Sequence, residues 1–201
     1  MEESLSKEKV EEYLRFKGEI RGVGLKNYAE FILKEDGEEG LKELEETVAK
    51  YGCPIKYKEL NTMDFYPIGY QAVTIAAMKD VLHYDDDKFY RLGGFQPKIS
   101  LIIKLFMRYF ISLDRLAKEV PKMWRKYYTV GKLEVLELNK EKKYMKLALR
   151  DFPCHPTQCH QTLRGYFPSV LRMVVKGEVS CEETKCVHRG DEYHEYILRW
   201  S

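Results

Sequence analysis

The hydrophobic pattern of this 201-residue chain changes period once, at Gly131, and that change limits what it can fold into. Upstream, apolar residues recur at intervals of three and four, as at Leu25, Tyr28, Ala29, Ile32 and Leu33, or Leu113, Leu116, Val120 and Trp124. Such spacing lays one apolar stripe along a helix. Downstream, Met145, Leu147 and Leu149 alternate with Lys146, Ala148 and Arg150, the signature of a strand with one solvated face. The pattern predicts helices over 4–15, 25–33, 38–50, 68–82, 98–111 and 113–127, with a short strand or bend around Ile20. A short helix capped by Asp85, Asp86 and Asp87 is expected to end at Gly93–Gly94. After Gly131 come a hairpin over 133–150, a helix over 159–176 that Pro168 kinks or shortens, and strands from Val179 and from Tyr193 to Trp200. The expected class is α+β: N-terminal helices packed on a C-terminal antiparallel sheet in β-β-α-β-β order. Residues 1–15 read as a helical extension, and 16–201 as a single domain.

Composition excludes several functions. With 34 Lys and Arg against 32 Asp and Glu, the chain is close to neutral, which disfavours a nucleic-acid coat. The segment Lys104–Lys132 holds eight basic and two acidic residues, yet no helix-turn-helix, finger or RNA-binding signature accompanies it. A solvated helix face is the simpler reading, and no nucleic-acid partner is expected. No run approaches the roughly 18 apolar residues of a membrane span. The polar start MEESLSKEKVEEYLRF has no signal core, so a cytoplasmic location is expected. Five cysteines in a chain of this size do not suggest a disulfide scaffold.

Four of those cysteines and four of the five histidines fall in the last 50 residues: Cys154, His155, Cys159, His160, Cys181, Cys186, His188 and His194. Thiolate and imidazole are the donors of a closed zinc site. Cys186 and His194 flank a glycine-containing turn between two strands, Glu183 lies three residues before Cys186, and Cys159 stands near the start of the preceding helix. Cys154-x4-Cys159 with Cys181-x4-Cys186 is an alternative, richer in sulfur. Ordinary buried cysteines compete with both readings, and Cys53, beside Pro54, reads as structural.

The stretch CHQTLRGYFPSVLRMVVKGEVSCEETKCVHRGDEYHEYILRW resembles the end of a 4-vinyl reductase domain: Gly165–Tyr166, Glu183, Cys186 and Gly190–Asp191 match, and His194 stands where a cysteine is usual. The region 154–201 carries the most specific part of the likeness. The resemblance implies a structural zinc ion on Cys159, Glu183, Cys186 and His194, with no open position for hydrolysis. A fainter likeness over 16–138 points to the wider group that joins these domains with haem-based nitric-oxide sensors and transport-particle vesicle-tethering subunits. In the haem sensors a Leu-Asp-x-Leu-His pattern supplies the axial ligand. Here Leu113, Asp114, Arg115 and Leu116 lead to Ala117, so no haem is expected by that mode. His83 reads as a helix cap.

The group resemblance implies a cavity between helices and sheet for a small hydrophobic, acyl or aromatic molecule. Ile103, Phe106, Met107, Phe110, Leu116, Met123 and Trp124 are the expected walls, with Tyr166 as a polar contact; solid packing is the simpler reading of the same stripes. Arg108, Tyr109 and Arg125 could also orient a ligand. The chain has no dinucleotide fingerprint and no convincing Cys–His nucleophile pair, so neither a nicotinamide cofactor nor an enzymatic activity is expected. The function expected is sensory or regulatory ligand binding, through a homodimer or an unidentified effector protein. An oligomeric tethering scaffold and a reductase-associated accessory protein are the alternatives.

Overall fold

A computed structural model describes residues 5–99 and 112–201. Helix α1 (Lys7–Leu14) starts where the Ser6 hydroxyl accepts a hydrogen bond from Lys9 N, 3.3 Å away. Strand β1 (Glu19–Arg21) leads into α2 (Gly22–Glu35) and α3 (Gly37–Lys50). Strand β2 (Phe65–Pro67) pairs antiparallel with β1, Ile20 opposite Tyr66, forming a ribbon too short for its alternation to be read in the sequence. Helices α4 (Gly69–Asp80), α5 (Asp86–Ile99) and α6 (Leu113–Tyr127) complete the helical part. The expected helix over 98–111 lies, from residue 100 on, outside the described residues, and with it Ile103, Phe106, Met107, Arg108, Tyr109 and Phe110.

The second part follows the expected β-β-α-β-β order. Strands β3 (Lys132–Asn139) and β4 (Tyr144–Arg150) form the hairpin, a π-helical turn (Gln158–Thr162) opens α7 (Leu163–Leu171), and β5 (Val179–Lys185) and β6 (His194–Trp200) close the sheet. The sheet is antiparallel throughout, in the order β3-β4-β6-β5. Its inner row, including Leu147, Leu198 and Tyr196, packs on α6 and α7. A second cluster fills the space among α1 to α5, and Tyr128 touches both. Along α6, Leu116, Met123, Trp124 and Tyr127 are buried while Lys118, Lys122, Arg125 and Lys126 are on the outer side, the solvated basic face that the sequence suggested.

Gly93 and Gly94 do not end α5. A Cβ on Gly93 would sit 1.9 Å from the carbonyl oxygen of Thr162, and one on Gly165 would sit 2.0 Å from that of Tyr90. The glycines let the backbones of α5 and α7 touch, and Ser169 Oγ donates to Gly94 O across the same contact at 2.9 Å. This contact holds the helix–sheet half against the helical half. Gly165→Ala is therefore expected to cost roughly 2 kcal/mol or more, the overpacking penalty outweighing the gain in helix propensity. Urea unfolding of the variant against the parent measures it, and an unchanged midpoint would refute the close contact.

Candidate functional site

Five consecutive residues of the π-turn meet four elements of the fold: α2, β6, β5 and, twice, α5. The Tyr28 hydroxyl of α2 donates to Gln158 Oε1 at 2.8 Å, and that of Tyr196 on β6 donates to Cys159 O at 3.1 Å. His160 Nδ1 lies 2.5 Å from Glu183 Oε2 on β5, and Gln161 Nε2 donates to Asp86 Oδ2 at 2.9 Å. The Thr162 carbonyl lies against Gly93. π-turns are rare and often mark functional sites. This one has the cysteine–histidine cluster on one side and a cavity on the other.

On the cluster side, Glu183 is central. Its side chain is 3% exposed, with Oε2 facing His160 and Oε1 lying 3.0 Å from His194 Nδ1. Burial works to raise its pKa, but the hydrogen bonds and charges of His160 and His194 prevail and draw it down to about 2. The far nitrogens of both imidazoles point at sulfur: His194 Nε2 lies 3.7 Å from Cys154 Sγ, and His160 Nε2 lies 3.8 Å from Cys186 Sγ. His188 Nε2 is 3.5 Å from the same Cys154 sulfur. A bulge between Glu183 and Lys185 turns this end of β5.

The four donors expected from the sequence do not form one group. Within 4.8 Å of one another lie either Cys154, Cys159, His188 and His194, or His160, Glu183 and Cys186. Cys159 and His194 thus belong to one group, Glu183 and Cys186 to the other, with the Glu183–His194 hydrogen bond between them. Cys154 and Cys159 are disulfide-bonded, a pairing the sequence did not suggest. Their five-residue separation makes the bond a local clip rather than a scaffold. Cys181 belongs to neither group: it is a core residue, its thiol pushed up to about 12 by burial. Cys53 is buried likewise, as expected of a structural thiol.

The cavity lies between α2, α4, α5, α6, α7 and the inner face of the sheet, with a volume of about 60 Å³. Leu116, Met123, Trp124 and Tyr166, expected as walls, line it together with sheet residues such as Met145, Leu147 and Leu198. Sequence reasoning missed its polar lining, Asn27, Gln71, Gln96 and Gln158. Gln71 had left a signal, as the one amide in the apolar run IGYQAVTIAAM. Gln71 Nε2 donates to the hydroxyls of Tyr28 at 2.9 Å and Tyr128 at 3.1 Å. Burial holds both phenols in the neutral form, with that of Tyr128 pushed up to about 12.

Comparison with solved structures identifies the architecture. An H-NOX protein from S. oneidensis in the Fe(II)NO ligation state matches with a TM-score of 0.70 at 12% identity, over 90% of this chain and 99% of that one. The Fe(II) unliganded H-NOX protein from K. algicida gives 0.62 at 10% identity, over 90% of this chain and 97% of that one. The fold is that of the H-NOX domains. No family model matches the chain, and no curated protein does. The wider group expected from the sequence, which includes haem-based nitric-oxide sensors, fits these neighbours.

The expectation of no haem is corrected by this finding, because the neighbours are haem-binding domains. Among the described residues, however, the haem site is not complete. No histidine or cysteine among them lines the cavity, and Ala117, where the resemblance would place the axial histidine, packs against the helix–sheet core. Lining groups able to ligate iron are the thioethers of Met123 and Met145 and the hydroxyls of Tyr127, Tyr128 and Tyr166.

Beside the cluster, His155 is buried, and its Nδ1 accepts a hydrogen bond from Thr157 N at 3.1 Å, which requires a neutral ring. Burial, then the charges of Lys79 and nearby groups, lower its pKa from 6.5 to about 3. Between these values the unfolded chain binds the proton and the folded one does not. The stabilisation is whole above 6.5 and is lost as pH falls, by at most about 1.4 kcal/mol per unit. Urea midpoints from about pH 7.5 to 5 are expected to fall less steeply in His155→Gln than in the parent; equal slopes would refute this account.

Proposed function

We propose that this chain is a non-enzymatic sensory domain that binds a small, mainly apolar molecule in the helix–sheet cavity, with a zinc-class metal ion at the rim. One observation carries the reading: a mostly apolar cavity with a few convergent amides and hydroxyls, at the joint between the two halves of an H-NOX fold. One solved neighbour carries nitric oxide on its iron, and the 4-vinyl reductase resemblance at Gly165, Tyr166, Glu183 and Cys186 supports ligand sensing as well. Against an enzyme, Cys186 is fully buried and its thiol is raised by desolvation, the opposite of an activated nucleophile. The output passes to an effector protein or through a homodimer contact.

The metal reading draws on Cys159, Glu183, Cys186 and His194, the set named from sequence, and on the spacing of their neighbours. Nitrogen and sulfur ligands about 2.05 and 2.3 Å from a tetrahedral ion lie about 3.6 Å apart. The Cys154–His188 and Cys154–His194 distances of 3.5 and 3.7 Å match that edge. Reduction of the disulfide, the ordinary state of thiols in the cytoplasm where we place this domain, frees two thiolates to join the two imidazoles. Glu183 then acts through hydrogen bonds that orient His194 and His160.

Protein purified under dithiol without chelator is expected to carry one metal ion per chain by native mass spectrometry, and to lose it on oxidation. His188→Ala and Cys159→Ser should abolish binding, while Glu183→Gln should weaken it about 10- to 100-fold. Loss on Cys186→Ser with retention in His188→Ala would return the site to the sequence-named set. A metal-free mass under reducing conditions would refute the metal. For the cavity, an occupying molecule at about 100 times its Kd is expected to stabilise the fold by about 2.7 kcal/mol. A panel of small apolar compounds in which none raises Tm would count against ligand binding.

A further inference from the structure

The outer face of α6 takes no part in the cavity or in the thiol–imidazole cluster. Arg115, Lys118, Lys122, Arg125 and Lys126 are all exposed there. At 3.6 residues per turn they fall within an arc of about 100°, opposite the buried stripe, and the row from Arg115 to Arg125 is about 15 Å long. The acids of the helix are already engaged, Glu119 by Lys122 at 2.7 Å and Asp114 by Lys140. Arg115, Lys118, Arg125 and Lys126 have no ion pair with a described residue. Like charges three and four apart on a helix repel one another, a cost that an anionic surface removes. Arg21 ties a further element to the end of this row. Its Nε donates to Lys126 O at 2.6 Å and its guanidinium also donates to Met63 O at 2.7 Å. Met63, 58% exposed, is the most exposed large apolar residue among those described. Asp64 beside it is exposed as well and subtracts one charge.

An anionic lipid surface fits this combination better than a protein or a nucleic acid. Protein interfaces are built on apolar and aromatic centres and are poor in lysine. Here three of the five cations are lysines, and Trp124 and Tyr127 are buried in the core. Nucleic-acid readers add side chains that hydrogen-bond base edges or stack on bases. The helix LDRLAKEVPKMWRKY has no Asn, Gln, Ser or Thr, and its aromatics are turned inward. A bilayer surface instead offers many equivalent phosphates over a shallow apolar layer, which suits a row of flexible cations with an exposed apolar residue at one end. We propose that α6 docks this domain on an anionic bilayer, its five cations against the lipid phosphates and Met63 in the headgroup layer. The contact is peripheral, since no helix among the described residues is long and apolar enough to cross a membrane. Leu116, Met123, Trp124 and Tyr127 on the other face of α6 line the cavity, so one helix lies between cavity and lipid. Docking itself requires neither a guest in the cavity nor an ion in the cluster.

Co-sedimentation of the full chain with vesicles tests the docking. At low salt the chain is expected to bind phosphatidylcholine vesicles containing about one-third phosphatidylglycerol, not pure phosphatidylcholine, and to come off between about 0.05 and 0.5 M salt. Each cation near the surface contributes about fivefold, so Lys118→Gln with Arg125→Gln should weaken binding about 25-fold. Lys42→Gln with Lys50→Gln removes as much charge from the exposed side of α3 and should leave binding within about twofold. Met63→Ser should weaken it several-fold at every salt concentration. All these positions are exposed, and circular dichroism checks that the variants fold. No binding to the mixed vesicles at low salt, or equal losses from the α6 and α3 pairs, would overturn the proposal. Tighter binding to a DNA duplex than to mixed vesicles at equal phosphate would overturn the lipid surface as partner, and unchanged binding in M63S would overturn the seat given to Met63.

Discussion

A π-helical turn has one residue more per hydrogen-bonded ring than an α-helical one, and at Gln158–Thr162 every residue is held by a different neighbour. Tyr28 holds the first, Tyr196 the second, Glu183 the third and Asp86 the fourth, while Thr162 abuts Gly93. An α-helical register would rotate these side chains by part of a turn relative to α7 and lose several of the contacts together. The cavity wall, the thiol–imidazole cluster and the α5–α7 contact all depend on this one local irregularity. Gln158, Cys159, His160 and Gln161 find partners in neighbouring elements, while the buried Thr162 hydroxyl has none among the described residues.

Much of the architecture was legible because periodicity reports burial directly. The switch at Gly131, the hairpin 133–150 and the amphipathic α6 follow from which residues face a core. Gly93 and Gly94 were misread as a stop because their role lies in the α7 backbone at Thr162 and Gly165, far along the chain and invisible to local pattern. β1 and β2, at three residues each, are too short to alternate. The cysteine–histidine cluster was visible as a concentration of donors, but not as two groups. Which atoms converge depends on the π-turn and on the bulge after Glu183, and neither has a sequence signature. His160 and His188 were passed over for that reason, and the two oxygens of Glu183, read as a ligand, face two imidazoles.

The fold of this chain is that of the H-NOX domains, while the chemistry of its cavity walls is its own. H-NOX neighbours place a cofactor in the corresponding architecture, and the expectation that this chain excludes haem does not survive them. The described walls nevertheless carry amides, phenols and thioethers rather than imidazole. Electrostatically the two faces of the π-turn differ sharply: neutral, protonated phenols line one side, and an ionised carboxylate sits between imidazoles on the other.

Gln158 and Cys159 are adjacent in the chain, yet one amide faces the cavity and one sulfur bonds to Cys154. No residue intervenes between the Tyr28–Gln158 hydrogen bond and the half-cystine next to it. A guest that bound the closed and open forms of the Cys154–Cys159 clip unequally would, by reciprocity, shift the clip by the same free energy. The peptide bond between these two residues is the narrowest bridge across which thiol chemistry and guest binding can speak to each other.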